Sequence, residues 1–168
     1  MDIKLIKANL CDCEKIQEMQ KISFASLLQI YQDYNTSPAT ESLETIIRKF
    51  NEPQTTYYFI SAYSEIVGVV RVFLIDKHTA RISPISILPQ HQNKGFAQYA
   101  MFEIERTYPD VTIWKLDTIK QEKKLKYFYE KLGYIATGKE EDIKQGMPIV
   151  YYQKTINPHA PSPNSTLW

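Results

Sequence analysis

Three extended runs follow one another between Thr56 and Leu88, and the third passes through a single glycine into a helix. Thr56 to Tyr63, Val67 to Ile75 and Ala80 to Leu88 are rich in aromatic and β-branched residues. Ser64-Glu65 and Asp76-Lys77-His78 supply the turns between them, so the spacing predicts an antiparallel meander. Pro84 lies inside the third run and has no N–H for a sheet ladder, which predicts a bulge or lost pairing near Ser83-Pro84. The run ends on Ile85, Ile87 and Leu88, and a polar turn reaches Gly95. A helical segment follows with Ala97, Met101 and Ile104 at helical spacing. Strand, glycine turn and helix together aim unpaired backbone N–H groups at an anion, and the helix dipole adds about half a positive charge there. Gly95 and Ala97 leave room for a phosphate to approach the main chain.

Ile3 to Lys7 alternates as a strand. Ile16, Met19, Ser23, Leu27 and Ile30 then repeat as one helix, and Tyr31 to Thr36 is a polar, aromatic break. Ser37-Pro38 reads as cap and first residue of a second helix carrying Leu43, Ile46, Ile47 and Phe50. After the central helix, Ile113 to Thr118 reads as a strand. Leu125, Phe128 and Leu132 mark a helix that Gly133 caps. Tyr134 to Thr137 and Pro148 to Lys154 are the last strands, with Lys139 to Gly146 between them as a charged turn. The order β-α-α-β-β-β-α-β-α-β-β predicts an α/β fold, a mixed and largely antiparallel sheet flanked by helices. One domain over residues 1–156 and a proline-rich tail over 157–168 are expected; 168 residues suffice for one full core but not two.

A net charge of +1 gives no electrostatic case for a nucleic-acid partner. No apolar run approaches a membrane span, and no charged-then-apolar leader opens the sequence, so no membrane partner and a cytoplasmic location are expected. Cys11 and Cys13 are too close for an unstrained disulfide and complete no metal set, so free thiols and no metal are expected. His91 reads as a solvated turn residue.

Gln92-Asn93-Lys94-Gly95-Phe96-Ala97 resembles the Q/R-x-x-G-x-G/A signature of the GNAT acetyltransferase superfamily. Tyr127-Phe128-Tyr129-Glu130-Lys131-Leu132-Gly133-Tyr134 resembles that family's F-Y-E-K-x-G-F/Y segment. The two motifs stand in the family's order, and the likeness covers about Ile3 to Ile156. It implies the acyl-CoA N-acyltransferase fold, acetyl-CoA as cosubstrate, and transfer of acetyl to a primary amine of a small molecule or peptide; it also admits a homodimer. By the same resemblance the amides from Asn93 to Gln98 (Asn93, Lys94, Gly95, Phe96, Ala97, Gln98), with the Gln92 side chain nearby, would hold the diphosphate. The main chain of Ile85, Ser86 and Ile87 would pair with the pantetheine arm as an added strand. Tyr129 matches the family's proton donor to the departing thiolate, and Asp117 aligns with a glutamate that acts as base in the ribosomal-protein alanine acetyltransferases. Glu122 stands where the family often has a cofactor-contacting Asn, and the usual acidic residue of the fourth strand is absent.

Such a transfer needs an amine stripped of its proton, donors for the thioester oxygen and support for the thiolate. An N–H near Leu88 is the expected oxyanion donor. Asp117 and a water chain both remain open as the base. Tyr129 either transfers a proton or only donates a hydrogen bond, because a reference tyrosine near pKa 10 does not readily protonate a thiolate whose acid is near 8.5. Acceptor specificity is expected from Tyr31 to Pro38 and from Lys139 to Gly146. Glu140-Glu141-Asp142 either steers a cationic amine or is a solvated face. Tyr31 and Tyr34 either wall the acceptor pocket or pack on the first helix. The rival functions are a non-catalytic acyl-CoA sensor on the same fold and a toxin-type enzyme acting on aminoacyl-tRNA.

Overall fold

The computed structural model describes residues 2–157. Apart from Asn157, the tail expected at 157–168 lies outside the described residues. Seven strands form one sheet in the order β1-β2-β3-β4-β5-β7-β6, where β1 is Ile3–Lys7, β2 Thr55–Ala62, β3 Glu65–Leu74, β4 Thr79–Ile87, β5 Ile113–Ile119, β6 Ile135–Lys144 and β7 Met147–Thr155. Every pairing is antiparallel except that of β4 with β5, which is parallel and joins only Thr79–Arg81 to Ile113–Lys115. Beyond Arg81 these two strands share no ladder.

Helices cover both faces. α1 (Cys13–Ser23), α2 (Ala25–Tyr31) and α3 (Leu43–Phe50) precede the meander; α4 (Phe96–Thr107) and α5 (Lys123–Lys131) follow it. α4 buries Phe96, Ala100, Met101 and Ile104 against Ile60, Val70, Val72, Ile82 and Trp114. Met101 and Ile104 are buried as their spacing predicts, whereas Ala97 is only half-buried and looks into the cleft described below. On the opposite face Ile16, Met19 and Ile46 pack on Tyr57, Phe59 and Val69.

Three expectations need correction. The single first helix breaks at Phe24, whose backbone leaves the helical region (φ −101°, ψ 5°). The break lets Ile16 and Met19 face the sheet while Leu27 and Tyr31 turn to a separate cluster with Ile119, Met147 and Ile149. Ile30 is left exposed. Ser37-Pro38 starts only a short 3-10 turn, because Glu41 is extended (ψ 127°). α3 begins afresh behind Ser42, whose hydroxyl accepts from the Thr45 N–H at 3.1 Å. Lys139 to Lys144 is strand rather than turn: Glu140, Glu141 and Asp142 pair with Val150, Ile149 and Pro148. β6 is the sheet's edge and almost wholly exposed, where charged side chains are tolerated and discourage pairing with another sheet.

The expected irregularity at Pro84 is present. The β3–β4 register slips between Val70–Ile85 and Val72–Ile82, and Arg71 Nε donates to the Ser83 carbonyl inside the slip. Gly68, in mid-β3, also serves this region. A Cβ there would stand 2.3 Å from the Ser86 carbonyl oxygen, so only glycine lets β4 lie this close. Gly68→Ala is expected to displace β4 and cost about 1–3 kcal/mol of stability, read as a lower urea midpoint with unchanged slope.

Burial raises the hydroxyls of Tyr57, Tyr58, Tyr129 and Tyr134 above the ordinary tyrosine range. Above about pH 10 the unfolded chain releases protons that the folded chain keeps, so stability falls as pH rises through that point. Denaturation midpoints measured from about pH 8 upward should hold level and then drop near pH 10. A midpoint that stays level through this range contradicts that burial.

Candidate active site

The parting of β4 and β5 opens a cleft of about 690 Å³. One side is β4 from Ile82 to Ile87 with the turn into α4, and the other is β5 and α5. α2 and the β7 residues Met147 and Ile149 border its far end. Leu88 N donates to the Val67 carbonyl at 2.8 Å, on the β3 side. Alternation along an antiparallel ladder then sends the Ser86 main chain to Val69 and turns the amides of Ile85 and Ile87 toward the cleft. The Leu88 amide itself is therefore taken up by β3. Ile87, one residue earlier, presents its amide to the cleft.

Gly95 caps α4 with φ +80°, a left-handed conformation that glycine adopts without strain. Its nearest neighbour, the Tyr99 ring, lies 3.8 Å from where a Cβ would be, so conformation rather than space calls for glycine. Asn93 is also left-handed (φ 61°). Gln92 Nε2 donates to the Ile87 carbonyl at 3.0 Å, which ties the turn to the end of β4. Ile85, Ser86, Ile87, Gln92, Asn93, Gly95, Phe96, Ala97 and Gln98 all line the cleft; Lys94 does not. His91, expected to be solvated, is half-buried in the cleft wall with Nε2 3.4 Å from the Glu65 carboxylate.

Tyr129 stands in the opposite wall, 7% exposed, its ring packed edge-on to Phe128 and Tyr134 and tilted against Tyr152. Burial, reinforced by the negative charge of Asp117, raises its pKa well above 10. The phenol is therefore held neutral, as a donor. Asp117 also lines the cleft, and Arg81 Nη1 donates to its Oδ1 at 2.8 Å. Burial raises the Asp117 pKa and the Arg81 guanidinium pulls it back, with burial the larger effect. Arg81 lies over the Tyr151 ring, and Tyr151 donates to Glu141 at 2.7 Å.

Glu122 does not cap α5 with its side chain. Its carboxylate accepts a 2.7 Å hydrogen bond from the Tyr31 hydroxyl, reaching from α5 to the end of α2. That bond and burial, the latter the larger, push the Tyr31 pKa up to about 12. Tyr31 thus walls the cleft, whereas Tyr34 is exposed and outside it. Of the segment Lys139 to Gly146, only Ile143 reaches the cleft. Gly68, Arg81 and Leu27 belong to this region without standing out in the sequence as parts of it. An isolated glycine within a β-rich run is the one available signal, for Gly68.

Comparison with known proteins follows the same lines. The model of the acetyltransferase (GNAT) family matches residues 24–134. No curated protein matches the sequence. Among solved structures, the chain is similar to an acetyltransferase from Thermus thermophilus (17% identity, TM-score 0.71, covering 93% of this chain and 98% of that one). It is also similar to the ribosomal-protein-S18-alanine N-acetyltransferase from Escherichia coli (10% identity, TM-score 0.74, 99% of each chain). A third is the spermidine N-acetyltransferase from Vibrio cholerae in complex with CoA and spermine (18% identity, TM-score 0.72, 91% of this chain and 95% of that one).

Proposed function

Because this chain belongs to the acetyltransferase (GNAT) family, we propose that it transfers an acetyl group from acetyl-CoA to a primary amine, by direct attack of the amine on the thioester. One observation carries the reading. β4 parts from β5 beside a glycine-capped helix N-terminus, so the amides of Ile85 and Ile87 and those at the start of α4 open onto one cleft that Tyr129 also lines. Unpaired strand amides suit an amide-bearing extended arm, and a helix N-terminus suits a diphosphate.

Each residue then has a task. The amides of Asn93 and of Gly95 to Gln98 hold the diphosphate, and Ile85 and Ile87 align the arm as an added strand. A cleft-facing β4 amide on the Ile85 side, away from the diphosphate, faces the oxygen that gains charge as the amine nitrogen bonds to the carbonyl carbon. Asp117 accepts the proton that the amine sheds, its proton affinity raised by burial. The C–S bond breaks toward the Tyr129 side. There the neutral phenol donates a hydrogen bond to the thiolate, because its raised pKa opposes full proton transfer. Holding the two reactants together supplies much of the acceleration.

This assignment predicts a pH effect. Removing the Arg81 charge, as in Arg81→Gln, takes away the influence that lowers the Asp117 pKa. The acid limb of the kcat/KM profile should therefore move to higher pH, and an unmoved limb would exclude Asp117 as the base. The activity itself is tested by acetyl-CoA turnover against a panel of amines, amino acids, polyamines and peptides, with free thiol as the readout. Coenzyme A binding without turnover on any of them would favour a sensor.

A further inference from the structure

Among the described residues three carboxylates line the cleft, and their surroundings differ. Asp117 is neutralised by Arg81 at 2.8 Å. Asp33 is consumed by its own loop, accepting from the Asn35 and Thr36 amides and from the Thr36 hydroxyl. Glu122 has only the neutral Tyr31 hydroxyl at 2.7 Å, and among the described residues no cation pairs with it. Lys124 lines the same cleft but forms no ion pair with Glu122. An oriented carboxylate that no cation pairs with has an oxygen free to accept from a ligand's ammonium.

The position of Glu122 indicates which ammonium this is. It directly precedes α5, seven residues before Tyr129, which is two helical turns and about 10 Å along the axis. It therefore sits too far from the thiolate donor to serve the reacting nitrogen itself. Tyr31, which orients it, belongs to an apolar cluster with Leu27, Ile119, Met147 and Ile149, all of which line this end of the cleft.

Building on the acetyl-transfer reading, we propose that Glu122 is the specificity-determining residue. In this proposal it binds a second ammonium group of a diamine whose other nitrogen is acetylated beside Tyr129, with the aliphatic linker lying on the apolar cluster. Tyr31 is its positioning residue, fixing the carboxylate so that one oxygen stays open to the ligand.

The test compares a diaminoalkane series with monoamines of matching length, in turnover and in calorimetric binding to the CoA-loaded protein. A diamine of suitable length should exceed its monoamine by roughly ten- to a hundredfold in kcat/KM and in affinity, the worth of one hydrogen-bonded charge. Glu122→Gln should bring that ratio toward one, and Glu122→Asp should keep part of it. Tyr31→Phe should lower the ratio several-fold through KM rather than kcat. Equal handling of diamines and monoamines by the unaltered protein overturns the proposal, as does a ratio that survives Glu122→Gln in folded protein. The underlying reading fails differently. A diamine preference in binding, lost in Glu122→Gln, with no turnover on any amine would leave Glu122 as a ligand-binding residue and reject acetyl transfer.

Discussion

Tyr129→Phe should bind coenzyme A as the unaltered protein does and lose roughly 10²–10³ in kcat. The ring is what the fold uses: it packs against Phe128, Tyr134 and Tyr152, and Phe keeps those contacts. The hydroxyl has no hydrogen-bond partner among the described residues, so its removal leaves no buried group stranded. Stability should change by less than about 1 kcal/mol. The loss appears only as the thiolate forms, because a neutral phenol interacts more strongly with an anionic sulfur than with a thioester. The measurement is kcat by thiol release beside coenzyme A affinity by calorimetry. Equal kcat in both proteins would remove Tyr129 from the reaction, and a matching loss of affinity would make it a binding residue instead.

Gly95→Val should weaken coenzyme A binding by roughly 10²-fold, equivalent to losing one or two charge-assisted hydrogen bonds. With φ at +80°, a β-branched residue at this position is strained by about 1–2 kcal/mol even though space is free around it. The turn can relieve that strain only by rotating the amides that begin α4, which are the ones assigned to the diphosphate. Gly138 provides the control. It has a similar conformation (φ +87°) and open space, but lies in the exposed edge strand β6 away from the cleft. Gly138→Val should destabilise the fold comparably and leave coenzyme A affinity unchanged. If both variants lost affinity alike, the effect would be general destabilisation rather than local geometry.

These effects trace back to features that differ in how far the sequence exposes them. The meander, the glycine turn and the bulge at Pro84 are local, fixed by residues within a few positions of one another, and they are readable. Tyr129 and Asp117, which the resemblance singles out, both line one cleft, and the two motifs stand on either side of β5. What is not readable depends on distant partners. Arg81 meets Asp117 only because β4 and β5 pair over Thr79–Arg81, and Tyr31 reaches Glu122 only because the chain breaks at Phe24 and redirects α2. The charged stretch after Lys139 looks like a turn because strands are usually recognised by their apolar alternation. An edge strand exposed on both faces has none to show. Which amide near Leu88 faces the cleft is set by register: Leu88 and Ile87 differ by one residue, and that single step reverses which side of the strand an amide faces.

The central claim is that coenzyme A lies in the gap between β4 and β5, and amide chemical shifts recorded during its titration test this most directly. The Ile85, Ile87, Gly95, Phe96 and Ala97 amides should shift together with a single affinity, while those of residues 135–141 in the exposed strand β6 stay still. Saturable binding that leaves Ile85 and Ile87 unmoved, or no binding up to millimolar coenzyme A, would contradict the account.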